Sequence, residues 1–181
     1  LNYRKNIAIV GTRNCTTDGQ KIAMNTANYF SKSDYNIVSG LALGIDTAAH
    51  RGALEAKGPT TAIVVDIEQI FPEENKGLAQ DIIDNEGLLI AENPPGTIPQ
   101  GHLFVSRDRL QSALSIGVFP IETDIIGGTM HTVEFTEKQS RLLFCPDLSQ
   151  YPDYSLSIKQ CQGILKLISE KRAYPYSKND Y

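Results

Sequence analysis

Two stretches, Ile7-Ala-Ile-Val-Gly-Thr-Arg-Asn14 and Ile37-Val-Ser-Gly-Leu-Ala-Leu-Gly-Ile-Asp46, constrain this chain more than any other part of it. Each is an apolar run of strand length that ends in glycine and leads into a segment with helical spacing. A strand apolar on both faces is covered on both, which is the habit of parallel sheets. The pair therefore predicts β-α-β units with right-handed crossovers. In such a sheet the C-terminal ends of the strands carry glycine turns and helix N-termini, whose backbone N–H groups can receive an anion.

The rest of the chain continues the alternation. Strands are expected at 5–10, 36–39, 60–65, 88–91, 117–121 and 142–145, although Pro120 argues against a central place for its strand. Between them, Ile22, Ala23, Thr26, Ala27 and Phe30 share one helical side, as do Leu78, Ile82 and Ile83. Leu110, Ala113 and Leu114 are expected to form the inward face of a helix over 103–115, and a further helix should run from Thr129 to about Gln139. Residues 92–101 hold three prolines and two glycines and must be a loop at the ligand edge. A length of 181 residues suffices for one substantial core rather than two. The fold class expected is α/β, a single three-layer domain with a mostly parallel sheet over 1–146. Residues 147–181 read as a linker and a C-terminal helix, with Cys161, Ile164, Leu165 and Ile168 on the side that packs on the domain or a partner. Beyond Arg172 a loose end or docking peptide is expected.

A formal charge of −4 excludes coating of duplex DNA by a broad basic surface, while leaving room for a narrow positive cleft. No apolar run approaches a membrane span. No secretion signal is recognisable at the first residues, so a cytoplasmic setting is expected. Cys15, Cys145 and Cys161 offer neither paired disulfides nor zinc-ligand spacing, so no metal is expected.

Three strand-to-helix turns are the candidate anion sites. Gly11, Thr12 and Arg13 combine an open strand end with a guanidinium suited to phosphate. Ser39 and Gly40 form the second turn; Asp46 and His50 follow it at i, i+4 on one helix face. Asp46 is expected to brace the loop N–H groups, and His50 to touch a phosphate or base. Gly128 and Thr129, after Gly127, form the third. Arg107 and Arg109 follow the proline-rich loop, and being two apart on a helix they should divide the work, one reaching the anion and the other bracing the loop. The turns are neither G-x-G-x-x-G nor Walker A, so no cofactor is expected, and NAD binding and ATP hydrolysis are discounted. No nucleophile–base–acid set is visible and no catalytic residue is proposed.

Taken in order, these motifs resemble the DprA/Smf family of DNA-processing proteins. The resemblance runs through Ile7–Arg13, Ile37–His50, Phe71-Pro-Glu-Glu-Asn75, Leu89–Thr97, Arg107–Ser115 and Gly127–Thr132. It implies a Rossmann-like domain that binds single-stranded DNA without turnover in natural transformation, DNA processing or recombination. It also implies self-association as a dimer and a RecA-like recombinase as partner. By the same resemblance Gly11–Arg13, Ser39–Gly40, Arg107 with Arg109, and Gly128–Thr129 are the phosphate-binding positions. Asp108 stands where the family has asparagine, and Gly127 where it has serine. Gly127-Gly128 with Glu134 is also loosely similar to the turn of a lysine-decarboxylase-like family that hydrolyses nucleotide ribosyl phosphates. That gives a nucleotide-binding or nucleoside-monophosphate hydrolase alternative.

Overall fold

The computed structural model describes residues 5–151, 154 and 156–177. In chain order it holds β1 (Lys5–Val10), α1 (Thr17–Lys32), β2 (Tyr35–Ser39), α2 (Ile45–Glu55), β3 (Thr60–Ile63), α3 (Lys76–Asp84), β4 (Leu88–Ile90), α4 (Gly101–Ala113), β5 (Gly117–Pro120), α5 (Thr129–Lys138), β6 (Leu142–Pro146), α6 (Lys159–Ser169) and β7 (Tyr174–Tyr176). The seven strands form a parallel sheet in the order β4-β3-β2-β1-β5-β6-β7. The chain winds outward from β1 to β4, then returns to add β5 on the other side of β1. With right-handed crossovers this reversal sends the helices to opposite faces, making a Rossmann-like three-layer fold. Accordingly α1 packs on α2, and α4 on α5.

The centre is apolar because β1 is covered on both faces: Ile7, Ala8, Ile9 and Val10 are all buried, with Ile37 opposite Ile7 on one side and Gly117 on the other. Pro120 does sit in a central strand, as its last residue, opposite Val10. There a missing N–H costs little, because the ladder passes to Ile121, whose N–H bonds Val10 O at 3.0 Å.

Two expectations for the C-terminal part need correction. The segment after Pro146 is not a free linker: Leu148 and Tyr154 are buried in the main core, and Asp147 caps a single 3-10 turn by accepting from Ser149 N–H. The end beyond Arg172 is not loose as far as it is described, since Tyr174-Pro175-Tyr176 pairs with Phe144-Cys145-Pro146 as the edge strand. Proline is tolerated on an edge, where one side of the strand has no partner. Cys161, Ile164 and Leu167 of α6 join the same core, so this helix packs on its own sheet. Residues 178–181 lie outside the described residues.

Candidate nucleic-acid interface

The winding order leaves a crevice above the C-terminal ends of β1 and β5, where their loops diverge. A cleft of about 600 Å³ opens there. Its walls are the β1–α1 loop (Gly11 to Asn14), the β5–α5 loop (Thr123 to Gly128), the start of α5 and one side of α4.

Several helix entrances border this edge, that of α4 at Gly101 among them, and the turns leading into α1 and α2 are already occupied by the protein's own carboxylates. At α1, the Glu122 side chain accepts from Thr16 N–H at 2.8 Å, Thr16 Oγ1 at 2.6 Å and the Tyr154 hydroxyl. It sits so close to the first helical turn that a Cβ on Gly19 would lie 2.3 Å from its carboxyl carbon, so glycine is required there. The Thr16 hydroxyl also caps α1 by accepting from Gly19 N–H at 2.9 Å. At the β2–α2 turn the occupant is Asp46, which accepts from Gly40 N–H at 3.0 Å and Ala42 N–H at 3.4 Å. Where a backbone anion site holds an internal carboxylate, a phosphate finds its donors spent and meets negative charge. The α5 entrance differs. Gly128 is exposed, a Cβ there would meet nothing within 4 Å, and no side chain caps the helix. Gly127, Gly128, Thr129 and His131 all line the cleft.

The arginines divide in the same way. Arg107 is 6% exposed; its Nη1 donates to Ile63 O at 2.8 Å, its Nε lies 3.5 Å from Asp108 Oδ1, and Asp46 is near enough to feel its charge. Two carboxylates therefore face this one guanidinium. Burial raises the pKa of both acids: that of Asp46 reaches about 6 even with Arg107 pulling it down, and that of Asp108 rises despite the opposing pull of Arg107. Arg109 points elsewhere, pairs with Glu92 and does not line the cleft. Arg13 is exposed, lines the cleft, and lies over the Phe104 ring at 5.5 Å. Among the described residues no carboxylate is within ion-pair distance of it.

Of the residues singled out from the sequence, the cleft thus brings together Gly11, Thr12, Arg13, Arg107, Gly128 and Thr129, with Asp46 beneath them. It does not bring Ser39, Gly40, His50 or Arg109 to the surface of that site. Ser39 is fully buried and its hydroxyl donates to Ile9 O at 2.6 Å. Gly40 acts through its lack of a side chain, since a Cβ would sit 1.7 Å from Arg107 Nη1. His50 shares a helix face with Asp46, but that face is pressed on the sheet: the ring is 0% exposed and its Nδ1 meets Thr60 Oγ1 at 2.7 Å. Because the Thr60 hydroxyl donates to Ile37 O, His50 Nδ1 is the donor to it, and burial drives the imidazole pKa down to about 3. Direct contact of His50 with a phosphate or base is therefore not available in this fold. Glu134, on which the hydrolase alternative depends, is exposed on α5 and outside the cleft lining.

Sequence reasoning missed Glu122 and Tyr154. The available signal was an acid directly after the β5 apolar run, at the edge where the ligand loops lie. Together with α6 they tie the C-terminal segment to both cleft loops. Gln160 Nε2 donates to Asn14 O, Gly163 N–H donates to Thr123 O, and Lys159 pairs with Asp124. Burial and the Glu122 carboxylate hold the Tyr154 phenol above its ordinary pKa, so it remains a donor across the working range. Tyr154→Phe, which leaves a buried carboxylate one donor short, is expected to lower stability by about 2 kcal/mol in urea unfolding. An unchanged midpoint would show that the bond contributes nothing.

The match to known proteins is extensive. The family model described as DNA recombination-mediator protein A matches residues 1–181. The chain is 33% identical over 181 residues to the DNA processing protein DprA of Bacillus subtilis, covering 99% of this chain and 59% of that protein. The X-ray structure of DprA from Streptococcus pneumoniae superposes with a TM-score of 0.85 at 30% identity, over 98% of this chain and 60% of that one. A structure of DprA from Helicobacter pylori, described for its single-stranded DNA binding mode, gives 0.84 at 27% identity, over 96% of this chain and 76% of that one. The chain therefore spans about three-fifths of the length of the Bacillus and Streptococcus proteins. On the full-length family match, this chain belongs to the DNA recombination-mediator protein A family, that of the DprA and Smf proteins.

Proposed function

We propose that this chain binds single-stranded DNA at the cleft between the β1 and β5 loops, as a non-catalytic component of DNA processing or recombination. The observation that carries the reading is the convergence of Arg13 and the α5 entrance on one cleft while the β1–α1 and β2–α2 turns are filled from within. A phosphate takes the Gly128–Thr129 backbone donors and the Arg13 guanidinium, and an unstacked base rests against Phe104. The single-stranded DNA binding named for the Helicobacter relative supports the choice of ligand. The family's description as a recombination mediator supports a RecA-like recombinase as protein partner. A homodimer is the assembly we propose, checked by sedimentation velocity. Among the described residues no helix is long and apolar enough to cross a membrane, and the proposed setting is cytoplasmic.

Arg13→Ala should weaken binding of a fluorescent oligonucleotide about tenfold or more, because a charge-assisted contact to phosphate is lost. Thermal unfolding should barely change, since the side chain is exposed. Unaltered affinity in a folded variant would remove Arg13 from the site and the reading with it.

A further inference from the structure

The cleft is poor in free positive charge and its mouth exposes apolar side chains. Its lining holds Arg13 and Arg107 against Asp46, Asp108 and Asp124. Arg107 is matched by Asp46 and Asp108, and Asp124 by Lys159 at 3.1 Å, which leaves Arg13 as the lining arginine free to meet a ligand anion. A second phosphate on the cleft floor would face the two acids that flank Arg107. At the mouth, Phe71 lines the cleft and is exposed, and Ile125 and Ile126 are exposed between the lining residues Asp124 and Gly127, Ile126 at 88%.

We infer that the chain holds a single strand mainly through unpaired bases, with one phosphate at Arg13 and the α5 entrance and the flanking bases on this apolar rim. The inference rests on the function proposed above and specifies its mode. The rim borders the phosphate seat, so a strand fixed there by one phosphate carries its neighbouring nucleotides across the isoleucines. Those side chains offer no partner to a phosphate but bury a base face. A backbone-tracking groove would need cations at these positions, and the loops present Asp124 and Ile126 instead.

The test compares a 12-nucleotide thymidine strand with an abasic strand of the same length, by fluorescence anisotropy across a salt series. With one phosphate neutralised the logarithmic salt slope should be about −0.7. The abasic strand should bind at least tenfold more weakly. Ile126→Ser, at a site too exposed to disturb folding, should lose about fivefold on the thymidine strand and nothing on the abasic one. Ile126→Lys should steepen the slope by about 0.7, since it adds one phosphate contact. A wild-type slope of −2 or steeper, with both strands bound alike, would overturn the base-led mode while leaving the DNA-binding reading intact. So would an Ile126→Ser variant that changes the sedimenting mass and not the affinity, because the rim would then be a contact between copies. No binding of either strand would overturn the functional reading itself, and this inference falls with it.

Discussion

Gly40→Ala is expected to lower stability by about 3 kcal/mol, the cost of overpacking a buried site and leaving a buried polar group without its partner. The added Cβ would lie 1.7 Å from Arg107 Nη1 and 2.7 Å from Asp46 Oδ2. An arginine tip normally swings away cheaply, but this one is buried and donates to Ile63 O, so moving it leaves that carbonyl without its donor and Asp46 without its counter-charge. The same displacement disturbs the Asp46 bonds to Gly40 and Ala42 that shape the β2–α2 turn. Urea unfolding checks the magnitude. A loss below about 1 kcal/mol would mean that the arginine relocates freely and that this cluster is not a fixed floor.

The second large effect is a compensation between two buried groups on α2. The Asp46 pKa is raised from 3.8 to about 6 by burial, so its contribution to stability is fully present below pH 3.8 and is lost as pH rises through 6. That of His50 is lowered from 6.5 to about 3, chiefly by burial and then by Arg107, so its contribution is present above pH 6.5 and is lost as pH falls. Between about pH 4 and pH 6 the two slopes are equal and opposite. His50→Asn removes one of them. The stability difference between this variant and the parent should therefore shift by about 3 kcal/mol in favour of the variant from pH 6 to pH 4. Urea titrations at the two pH values supply the number, and a difference that does not move with pH would show that His50 titrates alike in the folded and unfolded chain.

Much of the fold was legible because the apolar runs and glycine stops are local signals. The parallel core, its order of elements and the loop status of residues 92–101 all follow from them. β7 was not legible, because Tyr174-Pro175-Tyr176 has three residues and a proline, and it is a strand only because β6 offers an edge. The face of α4 was legible only in part. Leu110 and Leu114 do pack against the core, as periodicity expects, but the most deeply buried positions beside them are polar: Arg107, Gln111 and Ser112. A polar face becomes buried only when a tertiary partner such as Ile63 O or Asp46 exists, and sequence spacing does not reveal that. Within the site, the candidate turn at Gly128 and Thr129 and the placing of Arg13 beside it could be framed from residue type, as could the bracing of the second turn by Asp46, the acid in the first turn of α2. That the first turn would be closed by Glu122 could not, because Glu122 lies 106 residues from Thr16, whose N–H it accepts.

Which helix entrance receives the anion is the claim on which the rest turns, and backbone amide shifts during titration with a 5′-phosphorylated oligonucleotide measure it directly. Saturable shifts at Gly128 and Thr129 together with Arg13, and none at Gly40, Ala42, Asp18 or Gly19, are predicted. Shifts concentrated at Gly40–Ala42 or at the start of α1, with Gly128 and Thr129 unmoved, would contradict it.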